Sequence, residues 1–108
     1  MNDAEAKARA QILKALGHPT RLRIVDELSR GDRCGSELQP LLGVDQSVVS
    51  RHLSCLKQAG LVTEHKEGLR GICHLAAPCI LRALDCTLQV LREVHERQTS
   101  LLHAGSES

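Results

Sequence analysis

The side chains with the most chemistry to offer are five thiols, Cys34, Cys55, Cys73, Cys79 and Cys86. Thiolates bind soft metals and react with oxidants. The number is odd, and the N-terminal stretch MNDAEAKARAQ lacks the apolar core of a secretory signal. No apolar run is long enough to cross a membrane. A cytoplasmic protein with reduced thiols is expected, so a disulfide framework is not. Cys79 and Cys86 are seven apart and would share one face of a helix. Seven residues rise about 10.5 Å, too far for a disulfide or for one soft ion with bonds near ~2.3 Å. Each therefore needs a partner from another element or another subunit, and Cys55 is the first candidate. Three thiolates suit trigonal arsenite or antimonite, and also lead, while cadmium is served by the same soft ligands. The alternative is a metal-free switch driven by thiol oxidation or persulfide. Cys34 and Cys73 are the further candidates. Strand alternation puts Cys73 on the side of Leu75, which favours packing.

An enzyme is not expected. There is no Cys-x-x-Cys pair, and no nucleophile, base and orienting group can be assembled.

The elements that must position these thiols are mostly helical. Phe, Tyr and Trp are absent, so Leu, Ile, Val and Ala must build the core. A helix is predicted over about 3–16, with Ile12, Leu13 and Leu16 at helical spacing. Pro19 opens a second helix, with Leu22, Ile24, Val25 and Leu28 on its buried side, and Gly31 ends it. A third helix starts at Ser36, capped through Ser36 and Gln39, and closes at Gly43. Asp45 caps a fourth, from Gln46 to about Ala59, with Val49, Leu53 and Leu56 as its buried stripe. At about 100° per residue, Cys55 lies about 160° from Leu53, on the side of Val48, Arg51 and His52. Two short strands follow, over 61–68 and 69–76, with Gly68 and Gly71 at their tip. A last helix is expected from Pro78 to about Leu102. Its Leu81, Leu84, Leu88 and Leu91 form a heptad seam that wants a partner helix. The tail from about residue 103 is expected to be loose.

Two short helices joined by LGVD, followed by a hairpin, form a winged helix-turn-helix. The expected fold is one domain over 1–108, mainly α with a small β-hairpin. Its order is α-α-α-α-β-β-α, and it is dimeric through its terminal helices. Net charge is only +1, so charge must be read locally. Between Gln46 and His74 stand Arg51, Lys57, Lys66 and Arg70 against Glu64 and Glu67. On the fourth helix, Gln46, Ser47, Val48, Ser50, Arg51 and His52 are not needed for the core. They cluster where a helix-turn-helix meets base edges and phosphates. Arg70 near the wing tip is positioned to reach a phosphate or the minor groove. Double-stranded operator DNA is the expected partner.

The segments LGHPTRLRIVDEL, CGSELQPLLGVDQSVVSRHLSCLKQAGLV and KEGLRGICHL together resemble the ArsR/SmtB family of dimeric, metal-responsive repressors. The resemblance implies a winged-helix dimer that leaves a palindromic operator when an inducer binds, often a thiophilic metal or metalloid. It also brings several known sensor patterns, and this chain departs from most of them. Where some members carry paired cysteines in the third helix, DRCGSEL keeps Cys34 and has Ser36 in the second place. Where others carry Asp and His ligands on the last helix, Asp85 is followed by Cys86 and Thr87. Cadmium- and lead-sensing members carry HLSCL with a second cysteine four residues on. Cys55 matches the first thiol, and Ala59 stands at the second.

Overall fold

A computed structural model of the chain describes residues 1–107, with side chains as far as Thr99. Helix α1 spans Asp3–Leu16. Its start follows from Asn2, whose side-chain oxygen accepts the Glu5 N–H at 2.8 Å, with Asp3 and Glu5 in the first turn and Lys14 in the last, matching the helix dipole. Helix α2 spans Pro19–Ser29. Pro19 sits at its entry, where its missing N–H costs nothing, and His18 caps it through Nδ1, which accepts the Thr20 N–H at 3.1 Å.

A two-residue strand, β1 (Arg33–Cys34), precedes helix α3 (Gly35–Leu42). The cap of α3 differs from the Ser36–Gln39 box expected. Cys34 is the N-cap, paired in a capping box with Glu37, whose carboxylate accepts the Cys34 N–H at 3.1 Å. The reason is strand pairing: β1 holds Cys34 extended against β3, so the helix begins immediately after it. Gly43, at φ 68°, ends α3 in the left-handed region that glycine enters without penalty. Helix α4 spans Gln46–Gln58. Asp45 occupies its N-cap position without a side-chain bond to the helix.

Strands β2 (Val62–Glu67) and β3 (Arg70–Leu75) turn back on each other at Gly68, whose φ is 62°. With β1 they make an antiparallel sheet in the order β1-β3-β2. The register pairs Val62 with Leu75, Glu64 with Cys73 and Glu67 with Arg70. On the other edge it pairs Arg33 with Cys73 and Cys34 with Ile72. The expected hairpin is thus the larger part of a three-stranded sheet.

The core of this unit, Met1–Pro78, is aliphatic. Ile24, Val25, Leu38, Val49, Leu56, Val62 and Cys73 are its most completely buried side chains. The stripe Val49, Leu53 and Leu56 of α4 is buried as the periodicity requires, and so are Ile24, Val25 and Leu28 of α2. Leu22 is not; it stays 37% exposed.

The second unit, Cys79–Ser108, is carried by helix α5 (Ile80–Glu107). The helix begins after Pro78 and Cys79, which form a turn, and continues past Leu102 through the segment expected to be loose. Once a helix is nucleated, each added residue costs little. Its seam is uncovered in a single chain: Leu88 is 47% and Leu91 66% exposed. The winged helix-turn-helix fold, mainly helical with a small sheet, is therefore the fold of this chain.

Candidate nucleic-acid interface and thiol positions

Helix α4 separates its residues by period. Val49, Leu53 and Leu56 face the core. Gln46, Ser47, Ser50 and Arg51 are exposed, and Val48 is half-buried. These five are the expected reading residues, and all lie on the first half of the helix.

His52 is a correction to that set. It is buried at 6% exposure, where its Nδ1 accepts the Arg21 Nε–H at 3.1 Å. Its ring lies 4.4 Å, centroid to centroid, from that of His18. Arg21 is itself tied to the end of α1, donating to the Ala15 carbonyl at 3.1 Å. His52 therefore joins α4 to α1 and α2. Its i+3 spacing from Val49 puts it on the edge of the buried stripe, a position helical periodicity alone leaves ambiguous. Burial, then the neighbouring His18, Arg21 and Arg51, push its pKa below the ordinary imidazole value.

Arg70 is also placed differently from the expected free wing-tip cation. Its guanidinium folds back to α3 and donates to Glu37 Oε1 at 2.8 Å and to Cys34 Sγ at 3.1 Å. Ser36 Oγ lies 3.0 Å from the same sulfur. The wing apex itself carries Leu69, fully exposed.

Between the start of α3, the exposed side of α4 and the wing lies an open cavity of about 370 Å³. Cys34, Gln46, Ser50, Ser54, Lys57 and Arg70 line it. Lys57 crosses from α4 to β2, donating to Glu64 Oε2 at 2.9 Å, and this bond first of all holds the Glu64 carboxyl below its usual range. Ser54, Lys57 and Glu64 belong to this surface; Ser54 was not singled out in the sequence, where Lys57 and Glu64 stood only as local charges. Whole-turn steps along α4, from Gln46 through Ser50 and Ser54 to Lys57, and the register Glu64↔Cys73 bring them to the cavity.

The thiols fall into three environments. Cys73 is fully buried, as its alternation with Leu75 suggests, and burial raises its pKa. Cys34 is also buried, at 4% exposure, within the Arg70–Glu37–Ser36 cluster. Cys55 is half-buried and lines a second cavity of about 320 Å³ with Gln11, Lys14, Ala15, Arg21 and Gln58. It faces α1 and α2 from the side of α4 that it shares with Val48, Arg51 and His52, and Ser50 lies on the other side. Cys79 and Cys86 are exposed. Cys79 lies in the turn before α5, where its carbonyl accepts the Arg82 N–H at 3.3 Å, so it does not share a helical face with Cys86. Among the described residues, no group of three or more His, Cys, Asp or Glu side chains is arranged to hold a metal ion. Among the described residues, no helix is long and apolar enough to cross a membrane.

The pattern of α2, α3 and α4 is also a recognisable family pattern. The family of bacterial regulatory proteins called arsR matches residues 18–64, from the cap of α2 into β2. Beyond that span, the Rv0081 protein of Mycobacterium tuberculosis, named as an uncharacterized HTH-type transcriptional regulator, is 34% identical over 97 residues. The match covers 89% of this chain and 85% of that protein. The chain belongs to the ArsR/SmtB family. The crystal structure of Rv0081 superposes with a TM-score of 0.79 at 32% identity, covering 91% of this chain and 99% of the other. A second neighbour is the homodimeric winged helix-turn-helix DNA-binding domain of Mb0332 from Mycobacterium bovis, described as a possible ArsR-family transcriptional regulator. Its TM-score is 0.71 at 31% identity, with 88% and 90% coverage. The antimony-specific transcriptional repressor AntR has a TM-score of 0.74 at 28% identity, with 88% and 86% coverage. As an ArsR/SmtB protein, this chain is a DNA-binding transcriptional regulator and not an enzyme.

Proposed function

We propose that this protein is a cytoplasmic homodimeric repressor that holds double-stranded operator DNA with α4 and the wing. It releases that DNA when cysteine thiolates bind a soft metal or metalloid. Gln46, Ser47, Val48, Ser50 and Arg51 meet the major groove, where Gln suits adenine and Arg suits guanine. Arg70 stands beside them and reaches phosphate once it leaves Glu37 and Cys34. The uncovered seam of α5 supplies the dimer contact, in keeping with the homodimeric Mb0332 domain.

The observation that carries the inducer reading is the placement of Cys55. It is a half-buried thiol at the mouth of a cavity, on the reading helix itself and outside its buried stripe. Cys79 and Cys86 are exposed and free to complete a site with a second copy of the chain. Arsenite, antimonite, lead and cadmium are the ions that such thiolates favour, and the relative AntR is named for antimony.

Titrating the reduced dimer with each ion, while following near-ultraviolet thiolate–metal absorption, tests this reading. The chain has no Tyr or Trp to obscure that band. Saturation at a fixed ratio of ion to dimer, lost on Cys55→Ser, is the expected result. An unchanged spectrum with every ion removes the metal from the mechanism.

A further inference from the structure

Among the described residues, two cations line the 370 Å³ cavity, and each is held by a carboxylate from another element. Lys57 of α4 donates to Glu64 of β2 at 2.9 Å, and Arg70 of β3 donates to Glu37 of α3 at 2.8 Å. The charges cancel in pairs, so this surface exerts little net pull on a polyanion.

The Lys57–Glu64 pair is built into the wing. Glu64 pairs with Cys73 across the hairpin, which makes Gly71 its diagonal neighbour on the same face. A Cβ at position 71 would run into the Glu64 carboxylate. Gly71 has a negative φ, so space is what glycine supplies there. That space is where Glu64 lies while it accepts from Lys57.

Lys57 also stands where a backbone contact belongs. Gln46, Ser50, Ser54 and Lys57 are spaced four, four and three apart, so they form one row along α4, and all four line the cavity. The row starts among the expected reading residues. It ends eleven residues on at Lys57, about 16.5 Å further along the axis. The major groove is about 12 Å wide. A helix whose first turns lie among base edges thus carries Lys57, with Ser54 beside it, out to the sugar–phosphate wall.

We infer that Lys57 is a phosphate contact and that Glu64 is its competitor: DNA takes Lys57 only by displacing the Glu64 carboxylate. The inference rests on the reading in which α4 and the wing hold DNA. The cost of opening the pair falls on every sequence alike. Complexes with base contacts from Gln46, Ser50 and Arg51 offset it, whereas backbone-only complexes do not. Glu64 therefore keeps loose binding to arbitrary DNA weak. A Glu64 that merely ties the wing to α4 predicts the opposite sign, because cutting the tie would then weaken DNA binding.

The test is the affinity of reduced full-length protein for duplex selected by it and for random duplex, read by fluorescence anisotropy over a series of salt concentrations. Glu64→Gln should bind both duplexes several-fold more tightly. Gly71→Ala keeps the carboxylate but pushes it off Lys57, and should shift affinity the same way. Lys57→Gln should weaken both complexes and reduce the salt slope by about one. With Lys57 already Gln, Glu64→Gln should add little. Affinity of Glu64→Gln equal to or below wild type overturns the inference. So does an unchanged salt slope for Lys57→Gln, or a gain from Glu64→Gln that persists without Lys57. Arg51→Ala separates this inference from the reading beneath it. If Arg51→Ala weakens binding while the Glu64 and Lys57 variants behave as wild type, α4 meets DNA and the inference alone fails. If Arg51→Ala also binds as wild type, the operator reading fails and takes the inference with it.

Discussion

Arg21 donates its Nε–H to Nδ1 of His52 at 3.1 Å, joining α2 to α4. A nitrogen that accepts from arginine cannot also carry a proton. The imidazole is therefore held neutral, with its remaining proton on Nε2. Arg21 also reaches the Ala15 carbonyl, so one guanidinium links the end of α1, α2 and α4.

That relationship predicts a pH dependence. The pKa of His52 is lower in the folded protein than in the unfolded chain, through burial first and then through His18, Arg21 and Arg51. The unfolded state thus binds the proton more readily. Stability is fully present above the unfolded imidazole value of about 6.5 and is lost as pH falls through the folded value. Thermal unfolding followed by circular dichroism should show a falling midpoint on acidification below about 6.5. His52→Gln should flatten that part of the curve. A His52→Gln curve parallel to wild type would assign the acid sensitivity to other groups.

Replacing Arg51 by Ala should leave folding intact, since the side chain is exposed on α4. It should weaken binding to selected DNA by roughly 1–3 kcal/mol if Arg51 reads a guanine. The loss is then concentrated at one base position in a binding-site profile. A uniform loss across sequences, with a reduced salt slope, would make Arg51 a phosphate contact instead.

The helix-turn-helix was legible because its punctuation is local. Pro19 starts one helix, Gly43 and Gly60 stop two others, and Val49, Leu53 and Leu56 repeat at helical spacing. The helix α5 was legible for the same reason, from leucines at helical spacing. Strand β1 was not, because two residues carry no period; its existence depends on β3, nearly forty residues away, through Cys34↔Ile72. The same long-range pairing moved the α3 cap from Ser36 to Cys34 and brought Arg70 onto its sulfur. His52 was misread because it borders the buried stripe, and only the positions of His18 and Arg21 decide which way it turns. The turn at Pro78 and Cys79 removed a shared face that spacing had suggested for Cys79 and Cys86.

Leu56 is fully buried in an aliphatic core. Leu56→Ala should destabilise the protein by about 2–5 kcal/mol, the range for cavities left by deleted leucine side chains. Chemical denaturation checks this. A loss below about 1 kcal/mol would mean that the site collapses to fill the space.

Leu88 and Leu91 are exposed in a single chain and lie on the α5 seam. Leu88→Lys with Leu91→Lys should convert the dimer to a monomer in sedimentation equilibrium while the helical circular dichroism of the first unit persists. Selected DNA should be bound far more weakly, because the two reading helices are no longer linked. A double variant that remains dimeric would place the interface elsewhere.

The central claim is that soft-ion binding at cysteine thiolates releases DNA. It is tested most directly by measuring affinity for selected DNA as reduced protein is titrated with arsenite, antimonite, cadmium or lead. A coupling of about 1–3 kcal/mol, roughly a 5–150-fold weakening, is predicted for at least one ion. That weakening should disappear in the Cys55→Ser, Cys79→Ser, Cys86→Ser variant. Unchanged affinity with every ion, or a full response in the triple variant, would contradict the account.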